Sequence, residues 1–277
     1  MIDAVSPYKR TLGRLLQIVL AGTIALGVTL GKDFSLEARQ AVFGQRQIQF
    51  YIPYSGTTPI VLPPVLLVAH NAGDQESTAR RALNHDAAGV EIDVRLVDGV
   101  LYATHSAPSG LMPMRAWQAP RLRDAWNYAA NATVLKLDLK STSQPALEAL
   151  VRFVEARPND QQIIFVSSDP DALDYLDTAV PESIELLSLS SGTDIDVLLD
   201  HDGRMDGVDG ISVPSWALTA GRIQALKERG YLIDAWTVND IERLVELSAL
   251  GVDIITTDNL AFFDMALKTP PEESTGL

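Results

Sequence analysis

The stretch Gly89–Leu96 reads GVEIDVRL. Successive side chains of a strand point to opposite faces, so Val90, Ile92 and Val94 share one face and Glu91, Asp93 and Arg95 the other. TVLKLDLK, Thr133–Lys140, repeats the arrangement, with Leu135, Leu137 and Leu139 opposed to Lys136, Asp138 and Lys140. An antiparallel sheet with one wet face is one way to use such strands. The segments between the strands argue against it: they have helical patterning, and a crossover helix joins parallel strands. If helices cover the outside, the apolar set faces them and the charged set points into an enclosed interior. Unpaired buried ions are costly, so those charges must pair with one another or hold a ligand.

Working outward, the same rhythm runs from Pro64 to about Lys268. Eight strand candidates occur: VLLVAH, GVEIDVRL, TVLKLDLK, QQIIFVSS, SIELLSLS, GISV, LIDAWTV and DIITTD. Helical segments such as QPALEALVRFVEA and DIERLVELSALG alternate with them. This predicts an α/β chain with a (β/α)8 TIM barrel over residues 65–268, an open doubly wound sheet being the alternative. Residues 32–64 read as a connector broken by Pro and Gly, and residues 269–277 as a flexible tail.

The chain has 277 residues, 47% of them hydrophobic, which suffices for a large core. It has no cysteine, so disulfides, thiolate catalysis and cysteine-held metals are excluded. A formal net charge of −14 argues against a nucleic-acid partner. Lys9, Arg10 and Arg14 precede the uncharged run Leu15–Gly31, LLQIVLAGTIALGVTLG. Basic flank and apolar run together predict a signal peptide or membrane anchor over residues 1–31, with the barrel extracytoplasmic, secreted or membrane-anchored.

The strand ends collect His70, Asn71, Glu91, Asp93, His105, Asp138 and Lys140. Three carboxylates and an amide oxygen are hard donors suited to Ca2+ or Mg2+. Two imidazoles beside them supply a base and an acid, and Lys140 a cation for an anionic group. Metal, acid–base pair and cation together suit phosphoryl chemistry. Glu91 and Asp93 have a plainer use as internal partners of Arg95 or Lys136.

In order along the chain, AHNAG…EST, GVEIDV…DG…ATH, LDLK, AWTVN and LGVDIITTD resemble the signatures of glycerophosphodiester phosphodiesterases, in the phospholipase-C-like phosphodiesterase superfamily. The resemblance implies His70 and His105 as acid–base pair and Glu91, Asp93 and Asp138 as metal ligands. It also implies Lys140 at the phosphate and Trp236 in the substrate pocket. The expected substrate is a small phosphodiester or phospholipid-derived ester. A phospholipase C or sphingomyelinase-D type of enzyme acting on intact lipid is the rival, and an inactive metal-binding barrel a second one. Three positions depart from the family pattern: Asn71 replaces its usual arginine, Asp138 a glutamate and Ser106 an aspartate. The phosphoinositide-specific phospholipases C also have His–Asn at this place, with the Asn binding calcium. On that likeness Asn71 is expected to join the metal ligands and to favour Ca2+ over Mg2+. The apolar loop Leu111–Trp117, LMPMRAW, is expected to lie over the site.

Overall fold

The computed structural model describes residues 51–52, 60–61, 64–85, 87–109, 118–157, 161–201 and 203–264. The signal or anchor expected over 1–31, the loop 111–117 and the tail 269–277 lie outside the described residues. No described helix is long and apolar enough to cross a membrane.

The alternating strands form as their pattern requires. Eight parallel strands build the sheet: β1 (Leu66–Ala69), β2 (Gly89–Val97), β4 (Val134–Leu139), β5 (Gln162–Ser167), β6 (Ile184–Ser188), β7 (Gly210–Pro214), β8 (Leu232–Trp236) and β9 (Ile254–Thr257). β1 pairs with both β9 and β2, which closes the sheet into a barrel. A ninth strand, β3 (Val100–Ala103), folds back antiparallel on β2. The turn between them is Asp98-Gly99, with φ of 47° and 78°. Two residues at positive φ make the type I′ geometry that matches strand twist, which is why Asp-Gly serves here. Outside the barrel, Tyr51–Ile52 pairs antiparallel with Ile60–Val61.

Among the described residues eight helices follow the strands: α1 (Glu76–Asn84), α2 (Leu122–Tyr128), α3 (Gln144–Glu155), α4 (Pro170–Ala179), α5 (Gly192–Asp200), α6 (Ala220–Glu228), α7 (Ile241–Ala249) and α8 (Ala261–Asp264). Four begin on a residue whose side chain accepts a backbone N–H of the first turn: Asp169, Ser191, Thr219 and Asp240. Such caps satisfy donors that the helix itself cannot.

Two apolar clusters separate inside from outside. Val90, Ile92, Leu135, Leu137, Phe165, Ile211 and Ile233 pack with helix residues such as Leu147, Leu173, Ile223 and Leu244. Leu66, Val68, Val134, Ile164, Leu186 and Ile254 form a smaller cluster within the barrel. The charged set of β2 and β4 faces that interior. Glu91 stands beside Lys136 in the register, and Asp93 beside Asp138.

Candidate active site

The site lies at the C-terminal end of the strands, where barrels of this kind carry their chemistry. β1 delivers His70, and the chain then turns through Asn71, at φ 48°, into the short 3-10 helix Ala72–Asp74. Gly73 lets this turn lie against β2. A Cβ there would collide with the Ile92 side chain and come within 3.1 Å of the Glu91 carbonyl oxygen. The close approach makes two bonds to β2. The Asn71 backbone N–H donates to Glu91 Oε2 at 3.2 Å, and the Asp93 N–H donates to Asp74 Oδ1 at 2.9 Å. Gly73→Ala is expected to destabilise the protein by about 1–3 kcal/mol through overpacking. An unchanged denaturation midpoint would show that the turn is not held against β2.

Glu91 is nearly fully buried. Its Oε1 lies 3.1 Å from Lys136 Nζ, and its Oε2 lies 3.9 Å from His70 Nε2. Burial pushes its carboxyl up, against the pull of Lys136 and His70. Asp93 is 1% exposed, and its Oδ2 is buried without a hydrogen-bond partner. Its Oδ1 lies 3.2 Å from Lys140 Nζ, which also donates to Asp138 Oδ2 at 2.7 Å. Burial disfavours the Lys140 charge, but Asp138 and Asp93 overcome it and raise its pKa. Lys140 is therefore an internal counter-ion of two acids as well as the cation placed closest to them.

Asp74 was not among the residues singled out from sequence. Burial, then repulsion from Asp93 and Glu91, pushes its pKa up from 3.8 to about 8. Between those values the folded chain holds a proton that the unfolded chain has released. Asp74 therefore contributes a loss of stability to the cation-free protein as pH rises through that window. Asp74→Asn is expected to flatten this dependence. Urea denaturation in chelator at pH 5 and pH 8 checks it, and equal slopes for parent and variant would contradict it.

His70 is held from the other side by the last strand. Because β9 pairs with β1 in parallel, with Thr257 beside Ala69, Asp258 arrives next to His70. His70 Nδ1 lies 2.8 Å from Asp258 Oδ1. Asn239 fixes Asp258 in turn: its Nδ2 donates to Asp258 Oδ2 at 2.9 Å, and its Oδ1 accepts the Asp258 N–H at 2.9 Å. Burial opposes the Asp258 charge, yet the Asn239 and His70 bonds hold its carboxyl below the ordinary range. An ionised carboxylate at Nδ1 keeps the proton there and leaves Nε2 with its lone pair.

His105 follows β3 and is exposed. Its backbone carbonyl accepts a bond from Arg95 Nη2 at 2.8 Å, which ties the loop to β2. Among the described residues its imidazole has no hydrogen-bond partner, so the structure brings His70, Asn71, Glu91, Asp93, Asp138 and Lys140 together and leaves His105 at the rim. Trp236, at the end of β8, lines a cavity of about 500 Å3 whose wall is mixed, with Leu187, Leu189 and Val197 on its apolar side and Ser188, Ser190 and Asp194 among its polar groups.

Residues 124–261, about half of the chain, match the model of the glycerophosphoryl diester phosphodiesterase family. The chain belongs to this family. It is thereby a phosphoric diester hydrolase of the phospholipase-C-like phosphodiesterase superfamily. As a glycerophosphoryl diester phosphodiesterase family member it carries Asp138, Lys140, Trp236, Asn239 and Asp258 inside the matched segment. His70, Asn71, Asp74, Glu91, Asp93 and His105 precede it. No protein of curated function matches the chain. Solved structures share the fold. An Oleispira antarctica phosphodiesterase in complex with sn-glycerol-3-phosphate is 19% identical, with TM-score 0.61, over 74% of this chain and 96% of its own. A glycerophosphodiester phosphodiesterase from Parabacteroides distasonis is 21% identical, with TM-score 0.58, over 72% of this chain and 94% of its own. A putative one from Galdieria sulphuraria is 15% identical, with TM-score 0.58, over 73% of this chain and 97% of its own.

The family generally uses a divalent cation. The donor chemistry here fits one: carboxylates from adjacent strands, and one buried carboxylate oxygen, Asp93 Oδ2, without a partner. No three acid or imidazole groups among the described residues enclose an ion as they stand. The Lys140 ammonium lies between Asp93 and Asp138 instead.

Proposed function

We propose that the protein hydrolyses glycerophosphodiesters to glycerol phosphate and an alcohol, using His70 and His105 as acid–base pair. The observation that carries this is the Asn239–Asp258–His70 chain, which aims an oriented imidazole at Glu91. The sn-glycerol-3-phosphate bound by the Oleispira antarctica enzyme of the same fold supports the product assignment.

His70, protonated at Nδ1, accepts at Nε2 the proton of the attacking hydroxyl. The substrate hydroxyl next to the phosphate forms the new P–O bond, and the bond to the alcohol breaks as His105 protonates the leaving oxygen. Water then opens the cyclic phosphate with the two roles reversed, which returns both histidines to their starting states. Lys140 holds a phosphate oxygen, and Trp236 with its cavity receives the alcohol. Glu91, Asp93, Asp138 and Asn71 would hold the cation. When bound, it offsets phosphate charge in the transition state. We favour Ca2+ over Mg2+, because a neutral amide oxygen suits a larger, more flexible coordination shell. We place the barrel outside the cytoplasm on the strength of residues 1–31.

Asp258→Asn should lower kcat by about 10²-fold with little change in KM, since the imidazole loses its fixed tautomer. Steady-state kinetics of the folded variant checks this; an unchanged kcat removes Asp258 from the mechanism. The apolar side of the Trp236 cavity favours a second reading, in which the alcohol carries a lipid chain. Assaying glycerophosphocholine, lysophosphatidylcholine and sphingomyelin side by side separates the two. Turnover of the first alone supports the glycerophosphodiesterase reading, and turnover of the lipids alone replaces it.

A further inference from the structure

Below the site, the barrel holds charges that none of these steps uses. Lys136 is 1% exposed and Asp234 0%. The Lys136 ammonium has three donors, and three strands receive them. It donates to Asp234 Oδ2 at 2.5 Å on β8 and to Thr256 Oγ1 at 2.9 Å on β9, and lies 3.1 Å from Glu91 Oε1 on β2. Asp234 is completed by Ser212 Oγ at 2.6 Å from β7 and by Thr256 Oγ1 at 2.9 Å. Lys136 itself stands on β4, so five strands converge on one ammonium–carboxylate pair. Burial works against the lysine charge, but Asp234 and Glu91 overcome it and push its pKa up. The arrangement leaves Glu91 no freedom at Oε1. Its other oxygen then meets the Asn71 N–H and faces His70.

We propose that Lys136 is a positioning residue: its buried tripod, built on Asp234 and Thr256, fixes the Glu91 carboxylate so that Oε2 is aimed at His70 and the cation site. The role rests on the phosphodiesterase reading for its catalytic consequence, but its effect on cation binding is independent of turnover.

The test is the double variant Lys136→Met/Asp234→Leu, which removes the tripod while leaving the net charge of the interior unchanged. Replacing a buried ion pair by apolar residues commonly preserves folding; circular dichroism verifies it. Ca2+ titration calorimetry should show affinity weakened by about tenfold or more, as for other partners that orient a metal ligand. kcat on glycerophosphocholine should fall by about as much, with KM within about twofold. Ser212→Ala, which removes only one bond to Asp234, should leave both near the parent's. A folded double variant with the parent's Ca2+ affinity and kcat overturns the proposal. If the variant does not fold, the parent supplies the readout. Its slowly exchanging Lys136 ammonium resonance should shift on saturation with Ca2+, and an unmoved resonance overturns the proposal. A parent inactive on every phosphodiester, whose Ca2+ affinity still falls in the variant, refutes the phosphodiesterase reading and leaves the positioning role standing. If the parent turns over substrate without binding Ca2+, kcat alone decides.

Discussion

His70→Ala is expected to lower kcat on a glycerophosphodiester by about 10³-fold, within the range ascribed to general acid–base catalysis. The side chain is 29% exposed at a strand end, outside both apolar clusters, so its loss should leave the fold intact. What disappears is the imidazole aligned between Asp258 at 2.8 Å and Glu91 at 3.9 Å. His105→Ala should also be slow, but for a different reason, and the leaving group tells them apart. An ester of p-nitrophenol departs without protonation, so it should restore His105→Ala toward the parent rate and leave His70→Ala slow. Restoration of both variants, or of His70→Ala alone, would contradict the assignment of base and acid.

Chelation is expected to have the second large effect. Removing divalent cations with EDTA should reduce turnover by about 10²-fold or more, the scale of several kcal/mol of charge stabilisation. A physical reason for cation binding is visible without any assay. Asp93 Oδ2 is buried and unpartnered, which costs about 1–3 kcal/mol, and burial first, then repulsion from Asp93 and Glu91, pushes the Asp74 pKa up to about 8. A cation that meets these acids relieves the repulsion and binds the folded state preferentially, so it must raise Tm. A differential scanning experiment with EDTA, Mg2+ and Ca2+ reads this directly. Equal Tm in all three conditions would remove the cation from the site. Asp93→Asn should abolish most of the Tm rise.

Much of the barrel was legible in the chain because charge alternates with leucine and valine in β2 and β4. Only a closed interior reconciles that pattern with helices on the outside. The register that sets Glu91 beside Lys136 and Asp93 beside Asp138 then gathers the acids. Pairing of Glu91 with Lys136 occupies one carboxylate oxygen only, and the other faces His70.

The residues missed were those whose partners lie far along the chain. His70 and Asp258 are 188 positions apart, and Lys136 and Asp234 are 98 apart. Closure of an eight-strand barrel makes its first and last strands neighbours, so Asp258 in DIITTD was recoverable as a companion of His70 from topology alone. Asp74 had no such signal. It acquires its role only because Gly73 allows the turn to press against β2, a packing fact that spacing does not encode.

The most direct measurement is 31P NMR of the purified protein with glycerophosphocholine and Ca2+, followed to completion and then repeated with EDTA. The predicted result is replacement of the diester resonance by that of glycerol phosphate, with a cyclic phosphate seen in passing, and conversion slowed by about 10²-fold or more in the EDTA sample. Persistence of the diester with Ca2+ present, or conversion that ignores EDTA, would contradict it.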